Sequence, residues 1–470
     1  MKKFLLIFFT ATAVSLPVFS DKPQNNGEPL ILTIEKAVEL GLENNFNLKV
    51  QANKAAGAER NNNDAWNVLL PDVSLSATLS RSNSSTSGSG TYYLGANDAY
   101  GLSASSDDGI YDYMLFQSYD YEISPWTAVG NFSAQLALSP AMINGVKALE
   151  LNYQNAILDM ESAKLSTETS IKTNFYNLLL FQEQIEVLKK NIETTEARLE
   201  SMEEMYNYGY VTELDVLNTK AGLSSLGPTL LQIENGYEQL KMVFLMDLGL
   251  DFNQEVTLEG AVEVSPELLD GNYLVNTYMA DRIDIQQLTV TEEMLANAKS
   301  ATANGRLPTL VLSWSYSPYQ VDPFDSEYWG EEDYFDDSGS FSVTLSLPVE
   351  DWLPHSGTSN DIADAQNEIS NMAHQKELAL LAAEMEIRAL VMTLNTSIES
   401  MKVRTESIEI NQKSYDMSLE AYNSGQLSLL DLETAENELL QAELDLVSEK
   451  YNYISSLLNL EEAINQNLSN

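Results

Sequence analysis

Two long stretches of the chain carry a seven-residue rhythm. Val146 to Tyr208 and Thr358 to Ser424 contain neither Gly nor Pro. In the first, Ile171, Leu178, Ile185, Ile192, Leu199 and Tyr206 recur at that spacing, with Phe181, Leu188 and Met202 on the alternate seam. In the second, Ile387, Leu394, Met401, Ile408, Tyr415 and Tyr422 recur likewise, with Val391, Ile398 and Leu419 between them. Such a seam predicts underwound helices with left-handed supercoiling. At 1.5 Å per residue each would be roughly 95–100 Å long, far beyond an ordinary globular helix. Charges on the other faces, such as Glu193, Glu196, Glu200, Glu203 and Glu204, read as solvated.

Elsewhere the rhythm is two. Val73, Leu75, Ala77 and Leu79 alternate with Ser74, Ser76, Thr78 and Ser80, and Phe132, Ala134, Leu136 and Leu138 form a matching face. Leu310, Leu312, Trp314 and Tyr316 do the same in the second half, as do Phe341, Val343, Leu345 and Leu347. Strands are predicted at 72–80, 130–138, 309–317 and 340–348, each about as long as a tilted strand that crosses a bilayer. Taken singly, each also fits a soluble hairpin with one buried face. Four together suggest a closed barrel, because no segment after the N-terminus reaches 18 consecutive apolar residues. The connections are long. Arg81 to Gly130 is rich in Ser, Gly and Tyr, and Pro318 to Gly339 holds eight carboxylates and no cation. The latter follows no EF-hand spacing and reads as a solvated outer loop.

The order of elements is written twice. A first repeat, 21–260, contains two strands, a long helix at 141–208 and a returning helix at 212–247. A second repeat, 261–470, has a helix at 282–307, two strands, a long helix at 358–424 and a returning helix at 428–465. Each strand region opens after a Leu-Pro pair, Leu70-Pro71 and Leu307-Pro308. Each long helix ends in a matching turn: Tyr206 to Leu217 contains Tyr-x-x-Gly and then Leu214-Asp215, and Tyr422 to Glu433 contains Tyr-x-x-Gly and then Leu430-Asp431. Gly209 and Gly425 supply the left-handed residue that closes a helix. Thr212 and Ser428 can N-cap the returning helices, and Asp215 and Asp431 sit at their positive ends. Capping alone would suffice to select these two aspartates. Gly227-Pro228 in the first returning helix predicts a local kink.

Composition narrows the function. Met1 to Ser20 reads as a secretory signal, with Lys2 and Lys3 before an apolar core. The chain has no Cys and only two His, so thiol, disulfide and His-metal chemistry are poorly supplied. A net charge of −45 argues against nucleic acid as a partner.

The turns give the most specific mark. From about Leu32 to Ile464 the chain resembles the TolC family of outer-membrane efflux proteins. The resemblance lies in Leu32-Thr33-Ile34-Glu35-Lys36-Ala37, the Leu-Pro strand starts, Arg282-Ile283-Asp284-Ile285 and both glycine turns. It implies an α+β membrane protein. Three protomers would each give four strands to a twelve-stranded barrel in outer-membrane lipid, continued into the periplasm by an α-helical tunnel. It also implies that Gly209, Tyr210, Val211, Gly425, Gln426 and Leu427 form the tip where a periplasmic adaptor docks, coupling the duct to an inner-membrane transporter. Asp215, Tyr422 and Asp431 match the family's entrance residues. Leu427 stands where a locking base is expected, and Thr434 where a second ring acid is expected. The expected function is a passive exit duct of an efflux pump or type I secretion system, with no cofactor and no catalytic residues. A secreted or periplasmic coiled-coil structural protein without a pore is the alternative.

Overall fold

The computed structural model describes residues 30–83, 86–93, 116–123, 126–260, 268–321, 323–324 and 338–468. The segment expected to be a signal, much of the acidic loop and the centre of the first long connection lie outside them. In chain order the elements begin with β1 (Leu30–Leu32), α1 (Ile34–Asn44), α2 (Phe46–Asn63), β2 (Asp72–Arg81), β3 (Thr86–Tyr93), β4 (Phe116–Ile123) and β5 (Trp126–Leu138). The first long hairpin is α3 (Ala141–Asn207) and α4 (Glu213–Asp247). There follow β6 (Val256–Leu258), α5 (Gly271–Tyr278), α6 (Ile283–Asn304), β7 (Thr309–Tyr316), β8 (Tyr319–Val321) and β9 (Gly339–Ser346). The second hairpin is α7 (Gly357–Asn423) and α8 (Leu429–Ile464). The chain forms two compact units, and each draws on both sequence repeats.

The first unit comprises the described residues within 1–55, 156–287 and 376–470. Its core is two clusters built alike. Ile171, Phe175 and Leu178 of α3 pack with Phe244 and Leu248 at the end of α4. Ile387, Val391 and Leu394 of α7 pack with Leu460 and Ile464 at the end of α8. Each second-cluster residue lies 216 positions after its first-cluster counterpart, the same offset as from Gly209 to Gly425. The two hairpins therefore have equal arms. Leu32 and Ala37 complete the first cluster, and β1 pairs in parallel with β6 beside it. Thr33 caps α1 by accepting from Lys36 N–H at 3.4 Å. α4 continues as one helix through Pro228, although the ring removes one backbone donor.

The second unit comprises the described residues within 56–155 and 288–375. Its main sheet runs β2-β5-β7-β9, all antiparallel, with β8 beside β5. Register separates the two faces, since directly paired residues point the same way. Val73, Ala134, Trp314 and Phe341 form one row across all four strands. One residue along, Ser74, Ser133, Ser315 and Ser340 form a row on the opposite face. Their hydroxyls bond in pairs, Ser74 to Ser133 at 2.7 Å and Ser315 to Ser340 at 2.9 Å. The apolar row is not covered: Val73 is 54% and Phe341 is 69% exposed.

The first connection contains more structure than its composition suggests. β3 and β4 pair as an antiparallel ladder, and β5 starts at Trp126, four residues before the expected strand. Those added residues, Trp126 to Val129, pair with Thr78 to Arg81 of β2. A Ser/Gly/Tyr-rich strand lacks the alternating aliphatic signal, so its pairing does not show in the periodicity.

Candidate functional site

The two glycine turns share one backbone solution. Gly209 has φ +75° and Gly425 has φ +72°. Gly209 N–H donates to Tyr206 C=O and Tyr210 N–H to Met205 C=O, both at 2.9 Å. Gly425 to Tyr422 and Gln426 to Ala421 repeat the pair at the same lengths. These 5→2 and 6→1 bonds are the Schellman closure, which requires a left-handed residue at the glycine.

The returning helices start with side-chain caps. Asp215 N–H donates to Thr212 Oγ1 at 3.3 Å, and Thr212 N–H donates to the Asp215 carboxylate at 2.9 Å, a reciprocal capping box. Asp431 N–H donates to Ser428 Oγ at 3.3 Å, and Ser428 Oγ–H donates to the Asp431 carboxylate at 2.7 Å. Asp215 is half-buried and Asp431 is exposed.

The turns meet at a cleft of about 520 Å³, lined among others by Tyr210, Val211, Asp215, Tyr422, Gly425 and Leu427. Six of the nine residues singled out from the sequence thus gather in one place. Asp431, Gly209 and Gln426 are not part of its lining. Tyr422 is half-buried, and its hydroxyl donates to Met202 Sδ at 3.2 Å. Burial and then the nearby Asp215 charge push the Tyr422 phenol up from its ordinary value. Leu427 is half-buried in the cleft wall, where a base was expected from the resemblance. Thr434 turns its hydroxyl back to Leu430 C=O at 2.8 Å, as a helical threonine does.

Sequence reasoning missed a polar layer beside the cleft. Arg198 of α3 pairs with Glu436 of α8 through both terminal nitrogens. Glu433 accepts from Thr219 Oγ1 of α4 at 3.5 Å. Burial pushes the Glu433 carboxyl up, and the Glu436 and Asp215 charges add to that, while Arg198 draws it back. One signal was available. Glu436 follows Leu429, Leu432 and Ala435 on the buried stripe of α8, where a lone carboxylate calls for a partner.

Among the described residues no group of three His, Cys, Asp or Glu side chains is arranged to hold a metal ion, and no helix is long and apolar enough to cross a membrane.

Residues 37–239 and 275–466 match the family described as outer membrane efflux protein. No curated protein matches the chain. Several solved structures share the fold. The CmeC outer membrane channel of Campylobacter jejuni aligns with TM-score 0.69 and 17% identity, over 93% of this chain and 87% of that one. The outer membrane protein VceC of Vibrio cholerae gives 0.66 and 17%, over 93% and 97%. The MtrE outer membrane channel of Neisseria gonorrhoeae, solved in its open state, gives 0.68 and 14%, over 93% and 89%. The fold class is that of the trimeric outer-membrane channel-tunnels, mostly helical with some sheet. The chain belongs to the outer membrane efflux protein family and is an exit duct of the outer membrane.

Proposed function

We propose that the glycine turns are the periplasmic tip of this duct and that their cleft belongs to its gated entrance. The observation that carries the reading is the convergence of both turns, 216 residues apart, on one cleft with Asp215 and Tyr422 in its wall. Two rigid caps, each fixed by a glycine and a hydroxyl, present turn residues with little ordering left to lose on binding. A periplasmic adaptor docks there at Gly209, Tyr210, Val211, Gly425, Gln426 and Leu427, and an inner-membrane transporter supplies the energy. The duct itself needs no cofactor and performs no reaction.

β2 and β9 are the outer strands of the main sheet. In the assembled trimer β9 of one protomer pairs with β2 of the next, which removes both edges and closes twelve strands. The apolar row through Phe341 then faces lipid and the serine row faces the lumen.

Asp431, exposed and held only through its cap, lines the entrance and favours cations. Single-channel recording of Asp431→Asn in planar bilayers tests this. Cation preference should fall while the trimer persists. Unchanged selectivity would return Asp431 to capping alone.

A further inference from the structure

The apolar surface of the main sheet does not stop where its strands stop. Phe341, Val343 and Leu345 share one face of β9, and Leu347 and Val349 keep the same alternation beyond its end at Ser346. They lead into a short helical turn, Val349–Trp352, in which Val349 is exposed and Trp352 is 57% exposed. The other outer strand repeats this. A short helical turn, Ala65–Leu69, precedes β2, and in it Leu69 is exposed and Trp66 is 57% exposed. The ladders from β2 to β9 are antiparallel, so the start of β2 and the end of β9 lie at one end of the sheet. It is also the end at which β5 gives way to α3.

The second turn is held firmly. Trp352 Nε1–H donates to Arg306 C=O at 2.9 Å, immediately before the Leu307-Pro308 start of β7. Thr358 Oγ1–H donates to the Asp351 carboxylate at 2.7 Å. The one polar atom of the indole is thus satisfied within the protein, and what the ring offers outward is apolar. The opposite end of the sheet has its own tryptophan. Trp126 pairs with Arg81, whose guanidinium lies 5.8 Å from the ring centroid. Between these two levels β2 runs for 10 residues. At about 3.3 Å per residue and a tilt of about 40°, such a strand rises about 25 Å, the height of the apolar band of a membrane barrel.

We infer that the two helical turns below the sheet are seated in the periplasmic leaflet of the outer membrane and bind phospholipid, with Trp66 and Trp352 at the boundary between acyl chains and headgroups. The inference rests on reading the main sheet as this chain's share of a barrel whose apolar row faces lipid. The strands alone fill the apolar band, so the turns fall at its edge, where the amphipathic indole is favoured over other side chains. Water is a poor neighbour for them, because each turn adds exposed aliphatic side chains to its tryptophan. When β9 of one protomer pairs with β2 of the next, the two kinds of turn come side by side. The rim then stands on three footings of two tryptophans each, which fix its depth in the bilayer.

A third tryptophan serves as an internal depth marker. Trp314 lies in the apolar row of β7, which starts at Thr309. Five residues up a strand of that tilt is about 13 Å, near the middle of the band.

The test is fluorescence quenching in the full-length trimer, reconstituted into phosphatidylcholine vesicles brominated either near the acyl carbonyls or near the chain ends. The chain has five tryptophans, and each variant keeps one and replaces the other four with Phe. The variants keeping Trp66 or Trp352 should be quenched several-fold more by shallow bromines than by deep ones. The variant keeping Trp314 should show the reverse order. Quenching of Trp66 or Trp352 by aqueous acrylamide but by neither lipid overturns the seat, because the turn then faces water. Silence toward all three quenchers also overturns it, because protein then covers the turn. Trp314 separates this from the barrel reading. Deep quenching of Trp314 with silent rim tryptophans rejects the lipid seat and keeps the barrel, whereas a Trp314 that no lipid quenches rejects both. If the single-tryptophan chains fail to assemble, Leu69→Cys and Leu353→Cys replace them, since the chain has no other cysteine. A polarity-sensitive dye on each should be quenched most by the shallow bromines in an otherwise unaltered trimer, and a dye indifferent to both lipids overturns the seat.

Discussion

The two return turns have the same backbone and different surfaces. Both close with a left-handed glycine and the same pair of carbonyl bonds, and both restart through a hydroxyl cap. Yet the first turn displays Tyr208 and Tyr210, 78% and 81% exposed, with ring centroids 6.4 Å apart. The second displays Ser424 and Gln426 at the matching positions. Backbone geometry is fixed by a few local rules, so both repeats share it. The side chains beside the glycine are free of those rules and differ. A partner that covers both turns would meet two sites of one shape and unlike chemistry.

The largest expected effect sharpens that contrast. Converting the first turn toward the second with Tyr208→Ser and Tyr210→Ser should weaken adaptor binding by more than about tenfold, because exposed aromatics are frequent anchors of interfaces. Gln426→Ala should change it by less than about threefold, the range of a peripheral polar contact. Binding of purified adaptor to the detergent-solubilised trimer measures both, and equal losses would erase the distinction.

A smaller effect concerns the caps. Thr212→Ala should cost about 1–2 kcal/mol and Ser428→Ala about 1 kcal/mol or less, since the first forms a two-way box. Hydrogen exchange in the first turns of α4 and α8 reads each cap separately. Faster exchange confined to the altered helix supports the assignment; equal acceleration in both would show that the starts are coupled.

The smallest effect is in pH. The folded Glu433 carboxyl is raised, so the folded state holds more protons than the unfolded state from the ordinary glutamate range up to that raised value. Stability contributed by this group is present at lower pH and is lost as pH rises through the window. Glu433→Gln should flatten that part of the stability profile and leave the rest unchanged, as followed by thermal unfolding across pH.

Local features were legible in the chain. The helix ends, the Leu-Pro strand starts and both glycine turns follow from residues within a turn or two of one another. The strand at 72–80 showed in the alternation and is observed at Asp72–Arg81, whereas β3, with its glycines and serines, did not show. The residues proposed for the entrance were visible as a motif, but the motif could not say how the aspartates differ. Asp215 is turned into its capping box beside Tyr422, and Asp431 is left exposed.

What the sequence determined by itself is the doubled plan: seven-residue seams, two-residue strands, and glycine turns at a constant offset, all set by short-range sterics and periodic burial. What only the tertiary structure decided is which charges meet. Arg198 and Glu436 are 238 residues apart, and no local pattern links them. Equal-armed hairpins bring them level, and burial then makes their pairing necessary, because an ion withdrawn from water must find its opposite.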